Sequence, residues 1–250
     1  MEEELLFNKK QIYYEFKNIN ILMTDKKYID VVYSIDKKPF SSYPKKLIKH
    51  LSIIYDLKIN SKILELGCGR GEFINEFTEL GMSGYGIDVS DYAKKYCKNT
   101  EIKTIDITKN PIPYPENYFD IVFSKSFIEH FYYPDAIFKE AYRVLKPSGI
   151  FINLTPEWKY IYKSFYDDYT HRTPFTKKSL EDIYLINGFK NIKVNSFKQL
   201  PILWSNNIFI KIFFKILSEL TRILVPDYYR MKNKWIRFSK ELMLLSCGIK

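Results

Sequence analysis

Five short apolar runs, separated by helical patterns, constrain this chain more than any other feature: Lys62–Leu66, Met82–Ile87, Ile102–Ile105, Phe119–Ser124 and Gly149–Leu154. Each is bounded by turn residues and is short enough to be a buried strand. Between them lie "GEFINEFTELG", "SDYAKKYCKN" with Ser90 as its expected N-cap, and "YPDAIFKEAYRVLK", which runs up to Pro147. Strands and helices alternating at this length imply a parallel sheet with helices on both faces and right-handed connections. On such a sheet, ligands sit at the carboxyl ends of the strands.

After Leu154 the rhythm changes. The polar and aromatic stretch "TPEWKYIYKSFYDDYTHRTPFT" leads to "KKSLEDIYLINGF", a helix that Thr176 can cap and Asn187-Gly188 can end. The strand pattern "NIKVNSF" follows. In "SNNIFIKIFFKILSELTRILVP" the residues Lys211, Lys215, Glu219 and Arg222 fall on one narrow stripe at helical spacing, the rest is apolar, and Pro226 stops the run. A face this broad ordinarily packs on the core or on a partner subunit. Its lysines interrupt it too often for a membrane-spanning helix, which leaves an interfacial helix as the alternative. The closing "KELMLLSCGIK" reads as one more strand.

The stretch "KILELGCGRGEF" ends the first run in an acid followed by glycines at 67, 69 and 71. This is one residue tighter than a dinucleotide fingerprint, and Glu72 occupies the position of the third glycine. A pyrophosphate seated on a helix N-terminus would meet that carboxylate and Glu65, and no Gly-Lys-Ser/Thr follows to make a phosphate loop. A ligand with positive groups and no phosphate suits the loop, as S-adenosylmethionine would with its sulfonium, amino group, ribose and adenine. Asp88 stands at the tip of the second run, 21 residues after Gly67, where a carboxylate can accept both ribose hydroxyls. Asp106, after the third run, is placed for the adenine amino group, with the Ile107 backbone for a ring nitrogen.

With "ILELGCGRG", "GYGIDVS", "DI" at 106–107, "PIPYPENYFDIVFSKSFIEHF" and "AYRVLKPSGIF", in that order, the segment from about 60 to 155 resembles the class I S-adenosylmethionine-dependent methyltransferases. The family's usual "LKPGG" appears here as "LKPSG". The resemblance implies an α/β, Rossmann-like, doubly wound sheet of seven strands with helices on both faces. It also implies a cofactor site lined by Glu65, Gly67, Cys68, Gly69, Asp88, Val89, Asp106, Ile107 and Ser124. From Tyr166 the stretch "YDDYTHRTPFTKKSLEDIYLINGF" resembles a narrower set, methyltransferases of bacterial surface-polysaccharide biosynthesis, in which a His before "FT" lies over the active site. The parts are then an N-terminal helical cap over 1–60, the cofactor-binding core over 61–200, and a basic amphipathic helical insertion with the last strand over 201–250.

A sulfonium is already electrophilic, so an enzyme of this kind must align the acceptor and remove its proton. The three histidines are His50, His130 and His171. His50 lies in an amphipathic segment and is expected to be structural. His171 is the expected base, with Asp168 or Asp167 to orient it, and His130 in "SFIEHF" is the rival. Ligands from one short loop make a poor cage, so no metal is expected. Cys68 reads as a small residue in a tight loop, and nothing in the sequence favours a reactive thiol there.

The net charge of +10 is unevenly spread: Met1–Trp158 carries 22 basic and 22 acidic residues, Lys159–Lys250 carries 17 and 7. A basic second part suggests a phosphate-bearing partner or a membrane surface, set against a merely solvated lysine-rich exterior. The expected acceptor is a small molecule with a hydroxyl, a phosphate-bearing sugar first and a lipid-soluble quinone or lipid precursor second. A non-catalytic or RNA-binding protein on the same fold is the competing class. One basic and aromatic run, "DYYRMKNKWIRF", is weak support for it, so no nucleic acid is expected. A peripheral membrane contact and a homodimer stay open. The three scattered cysteines and the absence of a leader pattern give cytoplasmic location as the expectation.

Overall fold

The computed structural model describes residues 32 and 34–250; the rest of the expected N-terminal cap lies outside the described residues. Helix α1 (Tyr43–Ile54) starts with Pro44 in its first turn, where a missing N–H costs nothing, and buries Leu47, Ile48 and Leu51 along one face. Then follow β1 (Lys62–Leu66), α2 (Glu72–Glu79), β2 (Ser83–Asp88), the one-turn α3 (Ala93–Tyr96), β3 (Thr100–Thr104) and β4 (Phe119–Lys125). Next come α4 (Asp135–Val144), β5 (Leu145–Pro156), α5 (Trp158–Ile161), α6 (Lys177–Ile186), β6 (Lys190–Phe197), α7 (Ile208–Leu224), α8 (Lys234–Lys240) and β7 (Met243–Ile249).

One seven-stranded sheet has the order β3-β2-β1-β4-β5-β7-β6. Its first five strands are parallel, while β7 enters antiparallel between β5 and β6. Neighbouring residues of one strand serve opposite layers, as a sheet covered on both faces requires. Ile63 packs with α1 and α2 through Leu47, Leu51, Ile74 and Phe77. Leu64 packs with α4 and α6 through Phe138, Ala141, Leu180 and Tyr184. The doubly wound, seven-stranded architecture expected from the sequence is the one present.

Local readings differ in two places. Ser90 caps no helix: its amide and hydroxyl both donate to Asp88 Oδ1 at 2.8 Å, and α3 begins only at Ala93. The pattern up to Pro147 ends as a helix at Val144, because β5 already pairs at Leu145 with Phe119. The register then slips before Ile121 meets Ile150, and in this irregularity Ser148 takes a left-handed φ of 65°. Thr176 caps α6 as expected, its hydroxyl accepting from the Ser179 amide and Ser179 answering to the Thr176 amide.

Helix α7 is capped by Asn207, whose side chain accepts from the Phe209 and Ile210 amides, and Pro226 follows its end. Its buried residues are Ser218 and Thr221, not its large apolar ones. Ser218 meets Ser239 of α8 at 3.0 Å and accepts from Lys198 at 2.6 Å, and Trp235 Nε1 donates to Thr221 Oγ1 at 3.0 Å. The His50 ring stacks on Trp204 at 4.9 Å and on Phe197 at 6.1 Å.

Candidate active site

The registers Leu66↔Ile87 and Leu66↔Ser124 bring the carboxyl ends of β1, β2 and β4 together. The glycine loop turns there. The Gly67 and Cys68 amides both reach the Ile87 carbonyl, and the Gly69 amide donates to Asp88 Oδ2 at 2.8 Å. With Ser90 on its other oxygen, the Asp88 carboxylate fixes the loop from below. Gly67, at φ 69°, has no room for a side chain: a Cβ would lie 2.2 Å from the Phe127 ring. Gly69 is the opposite case, since a Cβ there would meet nothing within 4 Å among the described residues. The backbone at Gly69 thus borders open space, where a ligand can approach closely.

The carboxylate chemistry fits a positively charged ligand. Glu65 is buried, burial pushes its carboxyl well above the usual range, and among the described residues its Oε2 has no hydrogen-bond partner. A buried acceptor left open beside a tight glycine loop is a place for an ammonium group. Glu72 is neutralised by Arg70, which also donates to the Lys38 carbonyl at 2.7 Å. Burial first, then the charges of Glu65 and Asp88, push the Cys68 thiol well up, so it is inert.

Val89 is exposed beside Asp88, and Ile107 packs on the core. Burial works against ionisation of Asp106, but hydrogen bonds from Thr108 and Lys109 hold its carboxyl below the usual range. Ser124 is fully buried, and its hydroxyl donates to Asn153 at 2.7 Å inside the sheet. The next residue, Lys125, is the charged group at this point of β4, one that no local sequence pattern singles out. Its ammonium lies over the rings of Phe73 and Tyr43 at 5.5 and 6.0 Å, and burial lowers its pKa to about 8.

Beyond Phe127 the chain turns through Ile128–His130. His171, 41 positions further along, comes back to this turn, with 4.9 Å between the two imidazole centroids. The expected partner of His171 is corrected here. The Phe165 carbonyl, 2.6 Å away, accepts from His171 Nδ1, which leaves Nε2 with the lone pair in the neutral ring. Asp167 pairs instead with Arg230 at 3.0 Å. Asp168 Oδ1 accepts from the Thr170 hydroxyl at 2.6 Å, and that oxygen in turn lies 2.9 Å from His130 Nδ1. Because Thr170 gives its one hydrogen to Asp168, it accepts from His130. Asp168 is therefore linked to His130 through Thr170.

Glu129 completes the group. It is fully buried, Thr155 Oγ1 donates to its Oε2 at 3.0 Å, and its Oε1 has no hydrogen-bond partner among the described residues. Burial raises its carboxyl pKa to about 7, and burial, followed by the charge of His171, lowers the His130 ring to about 4. The ligating atoms of Glu129, His130 and His171 lie within 4.8 Å of one another. That composition could hold a divalent cation as well as pass a proton. The sequence reading weighed a metal only for ligands drawn from the 167–171 loop, and a neighbour 41 positions away leaves no mark on local spacing.

Residues 64–153 match the family model described as "Methyltransferase domain". Among curated proteins, the chain is 30% identical over 112 residues to "Sterol 24-C-methyltransferase erg6" of Schizosaccharomyces pombe, covering 41% of this chain and 29% of that one. It is 30% identical over 128 residues to "Ubiquinone biosynthesis O-methyltransferase" of Pelagibacter ubique, covering 45% and 53%. The matched stretches thus span about half or less of those relatives. Among solved structures, a SAM-dependent methyltransferase from Archaeoglobus fulgidus superposes with a TM-score of 0.61 at 21% identity, covering 90% of this chain and all of that one. Residues 64–153 are therefore similar to a methyltransferase domain, and the chain shares its fold with a solved S-adenosylmethionine-dependent methyltransferase.

Proposed function

We propose that this chain transfers the methyl group of S-adenosylmethionine to an oxygen of a small acceptor, with His171 receiving the acceptor's proton. The observation that carries the reading is the state of His171: the Phe165 carbonyl takes its Nδ1 proton, which leaves Nε2 as the basic nitrogen, and the imidazole lies against the Glu129–His130 turn. That turn adjoins the glycine loop through Phe127 against Gly67.

Glu65, Gly67, Cys68, Gly69, Asp88, Val89, Asp106 and Ile107 would hold the cofactor, with the open Glu65 oxygen for its amino group and Asp88 for its ribose. When bound, the cofactor supplies a methyl that bonds to the acceptor oxygen while the electron pair of the broken bond stays on sulfur. The chain's own part is to align the acceptor and to take up, at His171 Nε2, the proton released from the hydroxyl. His130, kept neutral by burial, positions the acceptor and is itself held by Thr170 and Asp168. The charge imbalance of the last 92 residues supports an acceptor with phosphate, such as a phosphorylated sugar. The named activities of the relatives support a wider class, since they include carbon as well as oxygen acceptors.

The test is turnover of labelled cofactor with a panel of hydroxyl acceptors. His171→Asn should keep cofactor affinity and lower kcat by about 10² to 10⁴-fold, the range for a lost general base. A loss below tenfold, or activity abolished by a chelator in the native protein, would replace the base reading with positioning or with a bound cation.

A further inference from the structure

We propose that the outward face of α7 lies in the surface of an anionic lipid layer, and that the acceptor is an oxygen at the headgroup of a lipid-borne molecule. The second half rests on the oxygen-methylation reading above; the first half stands alone.

The geometry is that of a helix turned inside out. At about 100° per residue, Phe209, Ile212, Phe213, Ile216, Leu220 and Ile223 fall within one sector about 100° wide. All are exposed, Phe209 at 79% and Ile223 at 66%. The opposite side meets α8 through Ser218 and Thr221. A soluble helix spends its apolar residues inward, and an exposed patch of this extent marks an interaction surface.

Charge decides what covers it. Lys211, Lys215 and Arg222 run along one flank, joined there by Glu219, which pairs with Arg222 and Lys198. Lys211 and Lys215 are exposed, and the segment after Trp158 holds the chain's whole basic excess. A second copy would set the same cations against one another, whereas anionic headgroups neutralise them. At the end of the helix Tyr228 and Tyr229 are exposed at 71% and 46%, with Lys232 over both rings at 4.2 and 5.8 Å. Amphipathic aromatics with lysine at the edge of an apolar face are the pattern of a helix lying in a membrane interface. Among the described residues no helix is long and apolar enough to cross a membrane, so the arrangement lies on the layer and does not span it.

The same unit reaches the catalytic cluster. Arg230, one residue beyond Tyr229, holds Asp167, which adjoins the Asp168–His171 stretch. Arg222 lies over Tyr160, and Lys163 faces Asp227 at 3.8 Å. A lipid surface meeting α7 would bring its headgroups beside the loop that carries His171.

The experiment is sedimentation of the full chain with vesicles of phosphatidylcholine alone and of phosphatidylcholine with phosphatidylglycerol. Binding is expected to the mixed vesicles, falling with added salt and with pure phosphatidylcholine. Phe213→Asp and Ile216→Asp should each lower partitioning by at least about tenfold, since burying such a side chain is worth about 1.5–3 kcal/mol. Lys211→Glu with Lys215→Glu should lower it on the mixed vesicles alone. Cofactor affinity, followed by calorimetry, should not change in any of these variants.

Three results would overturn the inference. One is the absence of partitioning to either vesicle. Another is a dimer that persists with mixed vesicles and is broken by Phe213→Asp. The third is strong hydrogen-exchange protection of the outward face in lipid-free monomer, which would mean that the chain's own residues cover it. Should vesicle binding fail while a water-soluble hydroxyl acceptor is still methylated, only the lipid inference falls. Should binding hold while no oxygen acceptor turns over, the methylation reading falls and the surface remains.

Discussion

In α4 and α6 the apolar residues turn to the sheet, where Phe138, Ala141, Leu180 and Tyr184 are fully buried. In α7 the buried residues are Ser218 and Thr221, and Phe209 and Phe213 stand in solvent. Both kinds of helix read as amphipathic in sequence. The difference shows that amphipathicity gives the width of an apolar face but not its direction, which is set by what the rest of the chain can cover. The sheet offers an apolar surface to α4 and α6, whereas α8 offers Ser239 and the Trp235 indole N–H. The C-terminal unit also meets charge, since Lys198 reaches both Ser218 and Glu219.

The sharpest way to break this comparison is to remove equal rings from both regions. Phe138→Ala should cost about 3–5 kcal/mol in urea unfolding, the range for a large side chain deleted from a packed core. Phe213→Ala should stay within about 0.5 kcal/mol, as exposed substitutions do. Similar losses would show that the α7 face is covered in the lipid-free protein and that the contrast is false.

A second test concerns a charge at the ordered sheet, Lys125 at the end of β4. Lys125 titrates at about 8 in the folded chain instead of 10.5. Between those two values the unfolded chain holds a proton that the folded one does not, so stability rises with pH, by up to about 1.4 kcal/mol per unit. Lys125→Met should remove that rise. Parallel stability profiles of the two proteins from pH 8 to 10.5 would mean that Lys125 is solvated.

The smallest effects separate the two regions at their caps. Thr176→Ala, at the start of α6, should lower global stability by about 1 kcal/mol. Asn207→Ala removes an equivalent cap from α7. Because that helix is tied down by few buried apolar groups, the change should appear as faster hydrogen exchange in its first turns, with a smaller shift of the global midpoint. Equal midpoint shifts would place α7 in the same cooperative unit as the sheet.

The sequence disclosed what depends on near neighbours. The limits of β1, the glycine turn, the Thr176 cap and the stop at Asn187-Gly188 follow from residues within a few positions of one another. Ser90 was misread because a nearby carboxylate competes for the same hydroxyl, and Asp88 claims it before a helix can form. The histidine pair was half legible. His130 and His171 carry the right chemistry by type, but Thr170 as the link to Asp168, and the Phe165 carbonyl as the partner of His171, arise only when two loops meet. Lys125 was invisible for the same reason: a lysine ending a strand reads as solvated until α1, α2 and the turn after β4 close around it.

The placement of β7 has one last consequence. Phe197 at the end of β6 and Met243 at the start of β7 are register partners, so the chain leaves and re-enters the sheet at adjacent points. Everything between them is an excursion whose length hardly matters to the strands that bracket it, since doubling a loop costs only about 0.6 kcal/mol in closure entropy. A lineage can therefore lengthen, shorten or exchange residues 198–242 without disturbing the glycine turn on the far side of β4. The surface that the chain presents can drift in this fold while the glycine turn stays in place.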